Sequence, residues 1–325
     1  MTEAGFPAPV YNITNSLSLL DPAPPFANLP WVCKHANILN MTDSRSSHLN
    51  RLAQNLPEGL LVDGAWLEDR GIASNLRAYY VKSGWLDQPV RGVYRRPSRF
   101  LRDLSWQVVV LSLQNLLRED LLVGGRTALE LHGFSHYLDP EIRTVHLYGP
   151  RKPPVWVSRL GLPQNFVHHN NRTLFRNEPI TYGLGHLALD PVAGTARDTT
   201  QLRGGGIEEM TWGRWELPLT LSSPERAYLE MLDELPQRES FHQADMLMQG
   251  AANFRPRRLQ KLLQDCASVK VKRLFFFFAE RHGHAWLKRL DKSAVDLGKG
   301  KRMLVRGGRL DPVNLITVPE DLDAH

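Results

Sequence analysis

The stretch Gly124-Gly125-Arg126-Thr127-Ala128-Leu129-Glu130-Leu131-His132-Gly133 has the residue types for phosphate chemistry. Two glycines entering a helix let backbone N–H groups approach an anion closely. Nucleotidyl transfer would also need paired carboxylates on a neighbouring strand to hold Mg²⁺. The strand pattern after it, Arg143-Thr144-Val145-His146-Leu147-Tyr148, contains no carboxylate. Hard divalent cations require oxygen donors, which imidazoles and an arginine do not replace, so phosphoryl or nucleotidyl transfer is not expected. The plainer expectation is a glycine turn that packs a helix closely on a sheet, with nucleotide binding as the weaker option. The histidines His132, His136, His146, His168, His169, His282 and His284 lack HExxH or Cys–His zinc spacing, no serine sits in a GxSxG elbow, and Cys33 and Cys266 have no CxxC partner. The sequence therefore predicts no enzyme, no metal and no cofactor.

A second constellation is suited to nucleic acid. Leu49, Leu52 and Leu56, then Trp66 and Leu67 after Asp63, then Leu76, Tyr79 and Tyr80 after Ser74 are three short helical signals, with Gly71 and Gly84 at turn positions. Trp85-Leu86 and Val90 to Arg96 come next as two strand signals around a turn at Asp87 to Pro89. Together they predict a winged helix-turn-helix over 41–98. In its third helix Ser74, Asn75, Arg77 and Lys82 are expected to face DNA, Arg and Asn being able to pair bidentately with guanine and adenine. Arg91, Arg95 and Arg96 lie where a wing reaches phosphates.

Charge is segregated along the chain. The whole carries +6, yet Ala251 to Leu310 alone holds 16 Lys and Arg against 4 Asp and Glu, an excess of 12, which leaves the remainder negative. A solvated surface ordinarily mixes both signs. Arg255, Arg257, Arg258, Lys261, Lys270, Lys272, Arg273, Lys299, Lys301 and Arg302 are therefore candidates for an additional DNA-contacting surface. The winged-helix stretch has 8 basic against 6 acidic residues, too small a surplus to hold DNA tightly by itself.

The elements that must position these groups form an α+β chain. Residues 1–40, rich in Pro, Asn and Ser, are expected to be disordered or an upstream extension; 41–98 form the winged helix; 99–220 an α/β lobe; 221–325 a basic C-terminal α/β lobe, so that the winged helix precedes a larger bilobed mixed α/β region. Helices are expected near Trp106 to Leu117, after Gly125, from Ser223-Pro224-Glu225-Arg226, near Arg255 to Cys266 and near Val271 to His282. Strands are expected at Leu121 to Val123, Thr144 to Tyr148, Pro154 to Val157 and within Gly298 to Val318. No apolar run reaches the length of a membrane helix, no secretory leader opens the chain, and two cysteines make no disulfide framework, so no membrane partner and a cytoplasmic location are expected.

Three ordered blocks resemble the AbiEi antitoxins of type IV, abortive-infection toxin–antitoxin systems. The first runs from Leu76-Arg77 through Gly84-Trp85-Leu86 to Arg91-Gly92-Val93-Tyr94-Arg95 and is similar to that family's helix and wing. The second is Gly125 to Gly133, similar to its TALxLHG helix. The third joins Ser223-Pro224-Glu225-Arg226-Ala227, Lys270 to Phe275, Asp296 to Arg302 and Ile316-Thr317-Val318-Pro319. The resemblance implies an antitoxin that is also a transcriptional autorepressor. It would bind inverted repeats in operator DNA upstream of its own operon and oppose a nucleotidyltransferase-like toxin without a stable complex. The competing expectations are a nucleotidyltransferase-like toxin, which the missing carboxylates oppose, and a DNA- or RNA-binding accessory regulator with no toxin partner.

Overall fold

The computed structural model describes residues 49–99, 103–134, 142–176, 205–213 and 216–323. The expected unstructured stretch 1–40, with Cys33, and also His136 lie outside the described residues. A first helix, α1, covers 49–55 and buries Leu52, with Leu56 buried just beyond it. Strand β1 (Leu61–Asp63) leads into helix α2 (Gly64–Glu68), whose first turn is closed by Asp63 Oδ1 accepting the Trp66 N–H at 2.8 Å. Gly71 takes φ 77° in the turn to α3 (Ser74–Lys82). Ser74, whose residue type also suits a helix cap, is the first residue of that helix, and Ala73 precedes it without a side-chain cap.

Strands β2 (Asp87–Val90) and β3 (Val93–Arg95) complete an antiparallel three-stranded sheet in the order β1-β3-β2. The hairpin turns at Arg91-Gly92, with Gly92 at φ 83°, and not at Asp87 to Pro89 as the residue pattern suggested. The physical reason is that β2 is an edge strand, where a proline without an N–H is tolerated, while the two-residue turn needs the positive φ that glycine accepts.

Helix α4 (Trp106–Leu111) is buried along nearly its whole length and widens into a π turn over Ser112–Leu116. Polar groups in that turn tie the fold together. Ser112 Oγ accepts the Leu61 N–H at 2.8 Å, joining the turn to β1. The Gln114 amide donates to the carbonyls of Leu121 and Thr220 and accepts the Thr220 N–H, and the Asn115 amide donates to Pro218. These bonds clamp the turn onto a five-stranded mixed sheet.

That sheet has the order β6-β5-β4-β8-β7. Its members are β4 (Leu122–Val123), β5 (Thr144–Gly149), β6 (Asn165–Asn170), β7 (Ile207–Trp212) and β8 (Leu217–Ser222), with β5/β6 and β4/β8 parallel and the other two pairs antiparallel. Helix α5 (Gly125–Leu131) packs against β5 of this sheet and against a second helix over Pro224–Asp233. The expected strand at Pro154 to Val157 is a 3₁₀ turn over Val155–Arg159, because consecutive prolines cannot donate to a ladder.

Ser223 Oγ caps that second helix, α6 (Pro224–Asp233), by accepting the Arg226 N–H, with Pro224 in the first turn. Helices α7 (Phe241–Gln249), α8 (Pro256–Asp265) and α9 (Val269–His282) come next. A two-stranded antiparallel hairpin of β9 (Arg309–Asp311) and β10 (Ile316–Val318) comes after them. Phe275, Phe276 and Phe278 of α9 are buried, and Phe275 stacks edge-on against Tyr228 and tilted on Trp286.

Candidate nucleic-acid interface

Helix α3 has two kinds of polar residue. Leu76 and Tyr80 pack inward, which leaves Ser74, Asn75, Ala78, Tyr79 and Lys82 on an exposed face. Tyr79 is 49% exposed and Trp85, just past the helix, 55%. Arg77, expected to face out, turns inward. Its side chain is 11% exposed, and Nη1 donates to the carbonyls of Gly64 and Ile72 at 3.0 Å each, with Glu68 at 3.6 Å. It braces the turn between α2 and α3. The side chains at three- and four-residue spacing around Leu76 and Tyr80 converge on that turn, and Arg77 is long enough to tie its Ile72 carbonyl to the start of α2 at Gly64.

The hairpin divides in the same way. Arg91 is exposed at the tip beside Gly92. Arg95 and Arg96, both expected to reach DNA, are largely engaged within the fold. Arg95 Nε lies 3.3 Å from Asp87 Oδ2 across the hairpin. Arg96 Nη1 donates to the carbonyls of Ala53 and Leu56 at 2.9 Å, while Nη2 is 3.7 Å from Glu58. These two arginines hold α1 and the strand edge in place.

In the C-terminal region, Arg257, Lys261, Lys299, Lys301 and Arg302 are exposed, and Arg255 is 69% exposed with Glu208 at 3.8 Å. The other four candidates are taken up by the fold. Arg258 Nη1 is held between Glu208 at 2.6 Å and Glu225 at 3.0 Å; although burial opposes its charge, these carboxylates raise its pKa above the usual arginine value. Lys270 Nζ donates to the carbonyls of Asp233 and Leu235. Lys272 and Arg273 are each 2% exposed. Arg273 reaches into the 297–315 segment, donating to the carbonyls of Leu297 at 2.7 Å, Gly300 at 2.6 Å and Leu315 at 3.2 Å.

The Gly124-Gly125 turn is filled by the protein. A Cβ on Gly124 would lie 2.4 Å from both Glu230 Oε2 and the Tyr148 ring. The Gly125 N–H, which could have met a phosphate, donates to Glu230 Oε2 at 2.9 Å. Glu230 also accepts from Ser222 Oγ and from Arg226 Nε at 2.8 Å, so the carboxylate is fully occupied in tying α6 to the turn. On β5, His146 Nδ1 and His169 Nε2 are 2.9 Å apart, and His169 Nδ1 is 3.0 Å from Glu234. Burial, with the neighbouring His169, lowers the His146 pKa to about 4, so its ring is neutral at pH 7. Burial pushes the Cys266 thiol up to about 11, far from a reactive thiolate. Among the described residues no group of three or more His, Cys, Asp and Glu could hold a metal ion, and no helix is long and apolar enough to cross a membrane.

The residues that sequence reasoning missed are Tyr79 and Trp85. The hydrophobic pattern left Tyr80 or Tyr79 to join Leu76 in the core, and only the roll of the helix decides which tyrosine is outside. Adjacent tyrosines were the available signal, since two neighbouring helix positions cannot face one core together.

No curated protein matches the sequence. A crystallised protein of Mycobacterium tuberculosis is similar at 16% identity, with a TM-score of 0.44 over 84% of this chain and 90% of that one. Two family profiles match separate parts: the AbiEi antitoxin N-terminal domain of a transcriptional regulator at 45–140, and the transcriptional regulator, AbiEi antitoxin of type IV toxin–antitoxin systems at 206–319. Together they span more than half of the 325 residues, and the chain belongs to the AbiEi family of antitoxin transcriptional regulators.

Proposed function

We propose that this protein is an antitoxin that represses its own operon by binding operator DNA through α3 and the β2–β3 hairpin, used as a winged helix. The observation that carries this is the exposed face Ser74, Asn75, Ala78, Tyr79 and Lys82 beside the hairpin tip at Arg91, inside a domain of a transcriptional-regulator family. Asn75 is suited to an adenine edge, and Lys82 and Arg91 to phosphates. Arg77, Arg95 and Arg96 act as braces that fix the reading surface. The exposed Arg255, Arg257, Lys261, Lys299, Lys301 and Arg302 add phosphate contacts beyond the small positive surplus of the N-terminal part. The domain limits at 98 and 220, the inverted-repeat operator and a nucleotidyltransferase-like toxin opposed without a stable complex belong to the same proposal, as do the cytoplasmic location and the absence of catalysis. For the last, the support is chemical: β5 carries no carboxylate and the glycine turn is filled.

Gel shifts of the full chain on its own upstream DNA test the proposal. Asn75→Ala with Lys82→Ala is expected to weaken specific binding by about 10- to 100-fold while the fold is retained. Unchanged affinity in the folded double variant would remove α3 from the interface.

A further inference from the structure

A polar cavity of about 430 Å³ opens beside α5 and β5, its lining including Arg126, Glu130, Arg143, His146, Arg238 and Glu239. It is separate from the residues assigned to DNA, and its volume is in the range of about 300–1,000 Å³ usual for small-molecule sites. Burial grades its lining: Arg143 and Arg238 are exposed, whereas His146 and Glu239 are buried. The lining has three guanidiniums against two carboxylates. Glu130 already accepts from Arg126 Nε at 2.9 Å, and Arg238 is paired with Glu234 at 2.9 Å.

Glu239 is different. Its side chain is 4% exposed, its Oε2 accepts no hydrogen bond among the described residues, and Arg126 Nη1, at 3.8 Å, is too far to donate. A buried acceptor without a donor is costly, and native folds rarely leave one. Burial first, then Glu130 and Glu234, raise this carboxyl to about 7 against the opposing pull of Arg126, which is what a carboxylate lacking donors does. The neighbouring His146 is held neutral and bonded to His169. The cavity thus has arginine forks at its exposed end, which suit a phosphate, and an unmet acceptor at its buried end, which suits an N–H.

We propose that this cavity binds a phosphate-bearing ligand of mononucleotide size, its phosphate held by Arg143 and Arg238 and an N–H of its base accepted by Glu239. The test is calorimetric titration and thermal unfolding of the full chain with each of the four ribonucleoside monophosphates and with orthophosphate. At least one mononucleotide is expected to raise Tm by about 2–4 °C at a concentration about ten times its Kd. Orthophosphate should compete with it but bind at least about tenfold more weakly, because it lacks the N–H. Arg143→Gln, at an exposed side chain, should weaken both ligands at least about tenfold, whereas Arg289→Gln, at an exposed residue placed in neither site, should change neither. Glu239→Gln should weaken the mononucleotide and leave orthophosphate unchanged. No binding of any mononucleotide at millimolar concentration, or equal binding by Arg143→Gln, overturns the site. Orthophosphate binding as tightly as the mononucleotides overturns the role of Glu239.

Discussion

Helices α8 and α9 are neighbours in sequence and both rich in Lys and Arg, yet Arg257 and Lys261 of the first meet solvent while Lys272 and Arg273 of the second do not. In α8 the apolar residues Leu259, Leu262 and Leu263 keep to one stripe, so Arg257 and Lys261 stand in solvent. In α9, Val271 and Leu274 to Phe278 are buried on every side, and Lys272 and Arg273 between them have no solvent face to occupy. Arg273 answers by donating to three backbone carbonyls of the 297–315 segment. A basic run therefore stays exposed to a partner only where the apolar pattern leaves it a free side. In a helix buried all round, the same residue types are internal cross-links.

Arg273→Ala probes this contrast most severely. Two carbonyls would lose their side-chain donor and Leu315 would keep only the Arg302 N–H in a buried region, so unfolding stability should fall by about 3–5 kcal/mol in denaturant titration. A loss under about 1 kcal/mol would return Arg273 to the candidate surface. A smaller change is expected where the same rule operates in α3. Arg77→Ala removes two carbonyl contacts from a partly buried turn and should cost about 1–3 kcal/mol, weakening DNA binding only in proportion to the unfolded fraction. If instead it kept its stability and lost affinity, Arg77 would be a DNA contact. In α8 stability should hardly respond. Arg257→Gln with Lys261→Gln should change it by no more than about 0.5 kcal/mol, while lowering the slope of log affinity against log salt by about 1–2. An unchanged slope would assign this exposed surface to something other than DNA.

Much of this architecture is legible from local chemistry. Asp63 and Ser223 as caps, Gly71 and Gly84 at positive φ, and helices after Gly125 and Ser223 all follow from residue types at fixed offsets, whereas the turn at Gly92 was read as strand. Strand β6 was not legible, because His168, His169 and Asn170 have no apolar alternation and are held by pairing to β5. Helix α7 was likewise missed. For the candidate site, residue types did not give direction: of the seven residues expected at DNA in the N-terminal domain, Ser74, Asn75, Lys82 and Arg91 are exposed, while Arg77, Arg95 and Arg96 are drawn inward by backbone carbonyls and carboxylates.

Residue order alone set where helices start and turn, the lack of carboxylates on β5, the excess of positive charge after Ala251, and the blocks that mark the family. It took the folded chain to show which arginines are braces, that Glu230 and Tyr148 fill the glycine turn, and that Glu239 is buried with an oxygen left without a donor among the described residues. The reason is reach. Capping and turn chemistry act within a few residues, but a guanidinium or carboxylate finds its partner across the fold, as Gly125 finds Glu230, and such partners are set by packing rather than by spacing.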